Sequence, residues 1–311
     1  MYRFFTSIAN APRVTACSVG PHVRRACIDI GSNTTRLLVA DCNGGGLREV
    51  HQERVFTRIS RGLLTGGGIS EAKVTEVATV VAGQLRVAQA LGAADVLALA
   101  TAAIRRASNR EELSAAVRAA CGLEVTVLTE QEEARLAFIG AARALNKAPA
   151  GALAVVDVGG GSSELIVGRV PNVVDWSRSV AVGSGDLADA FLHSDPPTPP
   201  ELGRARQHID QAFRGIEIPG TSLAVAVGGS ATSLRRLAGA LLDDAVFSRT
   251  LELLCNAAGD EVARRFGLDR ERVRLLPGGL LILQAAAEWL GADLQIGYGG
   301  LREGALLEAA G

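Results

Sequence analysis

Two stretches of the chain share one pattern of hydrophobic and polar positions. Residues 26–39 and residues 154–167 each contain two aliphatic runs separated by a turn of glycine and small polar residues. Aliphatic runs on either side of such a turn are typical of a β-hairpin. The second segment lies 128 residues after the first without a gap, so that Asp29 and Asp157 occupy equivalent places. The pattern therefore predicts a duplicated domain in which each copy opens with a strand–loop–strand unit.

Elsewhere the apolar positions alternate between the spacing of helices and that of strands. Helices are predicted over residues 71–91, 110–120, 129–145, 201–213, 280–289 and 302–310, with one more ending near 240. Strands are predicted over residues 96–100, 125–128, 178–182, 223–227 and 294–298. This alternation predicts an α/β protein of two domains, residues 24–148 and 149–311, with the C-terminal helix packing back on the first. Residues 1–23 lack the periodicity and are expected to form a disordered extension.

Composition narrows the class of protein. With 311 residues, 48% hydrophobic and 21% charged, the chain is long enough for two domains with packed cores, which excludes a disordered or collagen-like protein. Its 32 Lys+Arg and 33 Asp+Glu leave a net charge of −1, so no basic field favours nucleic acid as a partner. The apolar stretch 275–287 contains Pro277 and two glycines and is too short to span a membrane. Five scattered cysteines without a CxxC pair predict free thiols in a reducing, cytoplasmic compartment.

Each predicted hairpin carries charged residues at its open mouth. Asp29 and Arg36 stand seven positions apart in the first, and Asp157 and Glu164 stand seven apart in the second. In the second hairpin the two carboxylates flank the turn at residues 159–163, whose glycine amides and serine hydroxyls suit an anion. Two carboxylates beside a phosphate suit a Mg²⁺ ion that keeps several waters, and Asp29 is a further candidate ligand. The alternative is a tight turn with surface charges.

Glycines and hydroxyls at three strand ends are candidates for binding phosphate. We expect the two hairpin mouths to face each other across an interdomain cleft. A Gly-Gly step before a predicted helix would add backbone amides and a helix N-terminus, although such steps are also common packing devices. The candidates are Ser32, Asn33, Thr34, Arg36, Gly160, Gly161, Ser162, Gly228 and Gly229.

Two further groups of charged residues follow predicted strands. Arg105 and Arg106 follow the strand at 96–100, where α/β proteins gather ligands, or they form an ordinary solvated pair. Glu130, Glu132 and Glu133 lie in the first turn of a helix, where acids are favoured by the helix dipole. One of the three could instead act as a general base toward water, and spacing alone does not say which.

Taken together, these motifs resemble the exopolyphosphatase/guanosine pentaphosphate phosphohydrolase (Ppx/GppA) family. The resemblance covers residues 24–311 and is carried by six segments in the family's order. They are Asp29-Ile-Gly-Ser-Asn-Thr-Thr-Arg-Leu-Leu-Val, Ala98-Leu-Ala-Thr-Ala-Ala-Ile-Arg-Arg-Ala, Glu132-Glu-Ala-Arg-Leu-Ala-Phe, Val156-Asp-Val-Gly-Gly-Gly-Ser-Ser-Glu-Leu, Val225-Ala-Val-Gly-Gly-Ser-Ala-Thr-Ser-Leu and Leu301-Arg-Glu-Gly. The resemblance implies two actin-like domains of the ribonuclease H-like superfamily, with the active site in the cleft between them.

The resemblance also implies an activity and roles for particular residues. It implies a Mg²⁺-dependent hydrolase, in some members a homodimer, that releases the terminal phosphate of inorganic polyphosphate or guanosine pentaphosphate. Glu133 matches the general base that activates water, and Asp157 and Glu164 match the pair associated with Mg²⁺. Arg105 and Arg36 match arginines that contact phosphate.

One departure from the family pattern keeps an alternative open. Asp186 stands where family members often have arginine, and its charge would repel a long polyphosphate if it faced the cleft. A sensor that binds polyphosphate or a guanosine polyphosphate without turnover is therefore a second hypothesis. A kinase of the same superfold is a third, which the sequence around Glu133 disfavours.

Overall fold

The computed structural model describes residues 22–43, 46–63 and 66–310. Most of the predicted N-terminal extension, residues 1–23, therefore lies outside the described residues. The chain divides into two compact units, the first running to Thr129 and resuming at Arg302, and the second spanning Glu130–Leu301.

A mixed five-stranded sheet forms the centre of the first unit. Its strands are β1 (Val23–Ile30), β2 (Thr35–Asn43), β3 (Gly46–Val55), β4 (Asp95–Ala100) and β5 (Val125–Val127), in the order β3-β2-β1-β4-β5. β1, β2 and β3 pair antiparallel, whereas β4 and β5 run parallel to β1. The helices are α1 (Glu71–Ala90), α2 (Ala102–Arg106) and α3 (Arg110–Cys121). Fully buried Ile28, Val77, Val81 and Leu113 belong to the core that joins α1 and α3 to the sheet.

A six-stranded sheet forms the centre of the second unit. Its strands are β6 (Leu153–Val158), β7 (Ser163–Arg169), β8 (Val173–Val180), β9 (Leu223–Val227), β10 (Leu241–Leu242) and β11 (Leu294–Ile296), in the order β10-β11-β9-β6-β7-β8. The helices are α4 (Glu130–Arg143), α5 (Ser184–Phe191), α6 (Pro199–Phe213), α7 (Gly228–Ala238), α8 (Asp244–Asn256), α9 (Gly259–Phe266), α10 (Arg270–Leu290) and α11 (Leu301–Ala310), whose residues from Arg302 onward belong to the first unit.

The two sheets repeat one topology. The strands β8-β7-β6-β9-β11 follow the same spatial order as β3-β2-β1-β4-β5, with the same antiparallel and parallel pairings. Asp29 lies opposite Arg36 in the first hairpin, and Asp157 lies opposite Glu164 in the second. The predicted duplication and the α/β class with two domains are therefore confirmed.

Helix α4 lies in the second unit rather than in the predicted domain of residues 24–148. It packs on β6, β7 and β8, and its Phe138 is fully buried in a cluster with Val155 and Ile166. The division of the chain at Thr129 thus precedes this helix, because the apolar face of α4 covers the second sheet.

Helix α10 is longer than the sequence predicts. It begins at Arg270 rather than near residue 280 and continues through Pro277, which lies inside it. A proline inside a helix removes one hydrogen bond, but α10 is the central helix of the unit, and burial of its leucines offsets that loss. Its 21 residues are long and apolar enough to cross a membrane by length and composition, yet 67% of the apolar window is buried inside the protein. The burial identifies α10 as a core helix.

Candidate functional site

A tight glycine turn joins β6 to β7 in the second unit. The Gly159 amide donates to the carbonyl oxygen of Ser162 at 2.9 Å, which closes the turn. The first amides of α5 hold it from outside, because Ser184 donates to the Gly159 carbonyl at 3.0 Å and Gly185 to the Gly160 carbonyl at 2.9 Å. A side chain at Gly183 would collide with the backbone of this turn. The loop predicted to bind phosphate is thus a fixed element, and it includes Gly160, Gly161 and Ser162.

Three carboxylates come together beside this turn. Glu164 is 3% exposed, and burial raises its pKa well above 4.5, with the charges of Glu133 and Asp157 raising it further. The hydroxyls of Ser162 and Ser179 oppose part of that rise in the pKa, Ser179 Oγ donating to Glu164 Oε1 at 3.0 Å. The sequence places Glu133 in a different motif from Asp157 and Glu164, and the fold brings all three to one edge of the second sheet.

Glu133 differs in burial from the other two acids in the first turn of α4. Glu133 is buried, whereas Glu130 and Glu132 are exposed. The charge of Glu133 is among the causes that raise the pKa of Glu164. Among the three candidates left open by spacing, the structure therefore favours Glu133 as the acid of the site.

The turn between β9 and α7 adjoins the carboxylates. Gly228 has a φ of 83°, and a Cβ there would collide with the carboxylate of Asp157. A Cβ at the next residue, Gly229, would lie 3.0 Å from a guanidinium nitrogen of Arg272. Glycine is therefore required at Gly228 for this close approach to Asp157, whereas a side chain at Gly229 would press on the end of the Arg272 side chain.

Arg272 is a residue of the site that the sequence does not single out. Arg272 is a residue of α10, and its buried side chain extends to the N-terminus of α7. Arg270, Arg272 and Arg274 alternate along the start of that helix, and nothing in their spacing distinguishes the one that reaches Gly229.

In the first unit, the equivalent turn carries an ion pair in place of the acid cluster. The Gly31 amide donates to the Thr34 carbonyl at 3.0 Å, as Gly159 does to Ser162 in the second hairpin. Arg36 donates to Asp29 Oδ2 through Nη2 at 2.8 Å and Nε at 3.2 Å, and Asp29 is 3% exposed. The carboxylate thereby orients the arginine, which favours a positioning role for Asp29 over metal binding.

The remaining candidates of the first unit lie around this turn and at the end of β4. The Ser32 carbonyl accepts a hydrogen bond from the Ser60 amide, and the Asn33 carbonyl accepts one from the Arg58 amide. These bonds fix the backbone of Ser32 and Asn33. Arg105 lies on α2 directly after β4, and its Nη1 donates to the Leu128 carbonyl at 2.9 Å. Because β4 runs parallel to β1, Arg105 and the turn after β1 lie at the same edge of the first sheet.

The donor set of the second unit fits a magnesium ion. Within the part of the chain that the structure describes, no group of three or more His, Cys, Asp or Glu residues could hold a metal ion by itself. Mg²⁺, however, commonly uses one or two carboxylates and completes its shell with water and phosphate oxygens. Asp157 and Glu164 provide such a pair, and a cation would offset the negative charges of Glu133 and Asp157, which add to burial in raising the pKa of Glu164.

Comparisons with known proteins agree on one family. The profile of the Ppx/GppA phosphatase family matches residues 38–311. Exopolyphosphatase 2 of Mycobacterium tuberculosis is 31% identical over 69% of this chain and 70% of its own length. Guanosine-5'-triphosphate,3'-diphosphate pyrophosphatase of Pseudoalteromonas translucida is 26% identical over 90% of this chain and 58% of its own length. The crystal structure of the Aquifex aeolicus Ppx/GppA family member superposes with a TM-score of 0.77 and 28% identity, covering 93% of this chain and 98% of that one.

Proposed function

Because the chain belongs to the Ppx/GppA phosphatase family, a family of hydrolases acting on phosphoanhydride bonds, we propose that it releases the terminal phosphate of polyphosphate or a guanosine polyphosphate. The observation that carries the proposal is the acid cluster beside the glycine turn, in which Glu133 and Glu164 are buried and Asp157 is half-buried. Buried carboxylates without a catalytic or metal-binding purpose are costly, so their convergence indicates a site.

In the proposed reaction, Glu133 accepts a proton from a water molecule as the water oxygen attacks the terminal phosphorus. The bridging P–O bond breaks, and the products are orthophosphate and a chain shorter by one phosphate. Glu133 suits this role because it is ionisable, buried and next to the turn that would hold the phosphate. The proton is passed on to solvent after product release.

Positive groups and amides would stabilise the charge that spreads over the phosphoryl oxygens. Phosphoryl transfer is accelerated mainly by positioning and by electrostatic stabilisation. We assign Arg272 and the amides of Gly160, Gly161 and Gly229 to this task in the second unit. Arg36 and Arg105 are the corresponding candidates of the first unit, together with Ser32, Asn33 and Thr34.

Asp157 and Glu164 are the residues that would hold Mg²⁺. When bound, the ion would neutralise part of the charge on the phosphate oxygens. Asp29 contributes through its ion pair with Arg36.

Asp186 bears on which substrate the site prefers. Its backbone amide donates to the Gly160 carbonyl at 3.0 Å, so the residue lies directly beside the glycine turn. A carboxylate there adds to the negative charge of the acid cluster and disfavours a long polyanion. We therefore propose short polyphosphates or guanosine polyphosphates as substrates. We also propose that the enzyme is cytoplasmic and forms a homodimer. A sensor without turnover is not favoured, because Glu133 is present and the relatives named above are hydrolases.

Replacing Glu133 tests the assignment of the base. Glu133→Gln should lower phosphate release from tripolyphosphate or guanosine pentaphosphate by about 100-fold or more and leave binding within a few-fold. Glu132→Gln is the matched control, since Glu132 lies in the same helical turn but is exposed, and it should retain full activity. Near-normal turnover in Glu133→Gln would refute the assignment.

A further inference from the structure

An aromatic residue lies exposed at the edge of the second sheet, next to the proposed phosphate-binding turn. β11 runs parallel to β9, with Ile296 level with Ala226. The pairing continues beyond the strand, because the Gly297 amide donates to the Ala226 carbonyl at 2.9 Å. Gly297 is therefore level with Val227, and Tyr298 follows Gly297 just as Gly228 follows Val227. Neighbouring strands lie about 4.8 Å apart, so the ends of β9 and β11 from which Gly228 and Tyr298 continue are adjacent.

The Tyr298 ring is held by an arginine from α7. The Arg235 guanidinium carbon lies 4.8 Å from the ring centroid, and Arg235 Nη1 donates to the Ile296 carbonyl at 2.9 Å. Tyr298 nevertheless remains 44% exposed. A ring oriented in this way offers a flat surface to solvent without the entropic cost of ordering it on binding.

A hydroxyl lies on the same face of α7. Thr232 is exposed and stands one helical turn before Arg235. Its Oγ1 donates to the Gly228 carbonyl at 2.8 Å, so the oxygen retains lone pairs that could accept from a sugar hydroxyl. A continuous set of groups therefore leads from the proposed phosphate turn along α7 to an aromatic surface. Its members are Gly228, Thr232, Arg235 and Tyr298.

We propose that Tyr298 and Arg235 form a stacking platform for the purine base of a nucleoside polyphosphate whose phosphates meet Gly228 and Gly229. Aromatic rings and guanidinium planes both stack on bases. Inorganic polyphosphate has no base and gains nothing from such a surface. This proposal rests on the proposed function, because the platform would favour guanosine polyphosphate over inorganic polyphosphate at the same site.

Binding to an inactive enzyme tests the platform without requiring turnover. In the Glu133→Gln background, calorimetric titration compares guanosine pentaphosphate with tripolyphosphate. Tyr298→Leu should raise the Kd for guanosine pentaphosphate about tenfold and leave that for tripolyphosphate unchanged. Tyr298→Phe, which keeps the ring, should bind both ligands like the parent. Trp289→Leu is the matched control, because Trp289 is an aromatic of the same unit that is 42% exposed, and it should change neither Kd.

The contrary outcomes are equally defined. A Kd for guanosine pentaphosphate within twofold of the parent in Tyr298→Leu, or an equal loss for both ligands, would overturn the platform. If thermal unfolding shows that Tyr298→Leu does not fold, Arg235→Lys removes the planar group from the ring and should weaken only the nucleotide; equal binding would again overturn the proposal. Absence of phosphate release by the wild-type protein contradicts the proposed function instead, and leaves this binding comparison valid.

Discussion

Glu133 shares the first turn of α4 with two other acids, and at the level of the sequence the three are equivalent. The fold separates them by burial, since Glu133 is buried, with its charge raising the pKa of Glu164, whereas Glu130 and Glu132 are exposed. Residue types and motifs were enough to predict that Asp157 and Glu164 lie opposite each other in the second hairpin. The contact of Arg272 with Gly229 could not be predicted, because it depends on how α10 packs against α7.

The acid cluster predicts an unusual response to removing a charge. Glu164 has a pKa raised above 4.5, so the stability that it contributes is present below that pH and is lost as the pH rises through the folded-state pKa. Glu164→Gln should therefore raise Tm at pH 7 in the presence of EDTA, by roughly 2–4 °C for each kcal/mol gained. The advantage over the wild type should grow between pH 5 and pH 8.

Magnesium provides the control for this variant. Adding Mg²⁺ should raise the Tm of the wild type, since the ion binds the folded state, and should raise that of Glu164→Gln much less. A lower Tm of the variant in EDTA, or equal Mg²⁺ effects on both proteins, would contradict the charged cluster.

At the scale of the elements, the alternation of strands and helices was predictable and the ends were less so. The predicted helices over residues 201–213 and 280–289 both begin after prolines, but Pro199 begins α6 and Pro277 lies inside α10. In α6 the two prolines fill the first positions, where a missing N–H costs nothing. In α10 the packing of the surrounding leucines overrides the local cost, and a periodicity argument has no access to that packing.

The start of α6 predicts a second pH effect, of opposite sign. Glu201 accepts from the Thr198 amide at 2.7 Å and from the His193 and Ser194 amides at 3.0 Å. These bonds, that of Thr198 above all, lower the pKa of Glu201 from 4.5 to about 2. Its contribution to stability is thus present above pH 4.5 and is lost as the pH falls toward 2.

Glu201→Gln should accordingly cost about 1–2 kcal/mol at pH 7, the scale of a lost helix cap. The difference from the wild type should shrink as the pH falls from 4.5 to 2 in urea titrations. Glu217→Gln, at an exposed glutamate of the same unit, should change stability little at any pH. A constant difference across that range would contradict the role of the ionised carboxylate.

At the scale of the whole molecule, the repeat of Asp-x-Gly at an offset of 128 residues predicted the repeat of the sheets. It did not predict where one unit ends, because α4 follows the first sheet in sequence but packs on the second. The near-neutral net charge likewise gives no sign of the acid cluster of Glu133, Asp157 and Glu164, because these residues come together only in the folded second unit.

The end of the chain belongs to the first unit and should matter for its stability. Arg302, 9% exposed, donates through Nη1 to the Leu37 carbonyl at 3.1 Å, and Leu306 is fully buried. Leu306→Ala should cost about 2–5 kcal/mol by leaving a cavity. Leu307→Ala, at a half-buried neighbour, should cost clearly less in the same denaturant titrations. Equal losses would mean that α11 does not pack as described.

The central claim, that water attacks the terminal phosphorus of a phosphoanhydride chain, is tested most directly by carrying out the reaction in H₂¹⁸O with tripolyphosphate and guanosine pentaphosphate. The account predicts one ¹⁸O atom in each orthophosphate released and none in the shortened product, measured by mass spectrometry. Label in the shortened product, or phosphate transferred to an acceptor without incorporation of ¹⁸O, would contradict it.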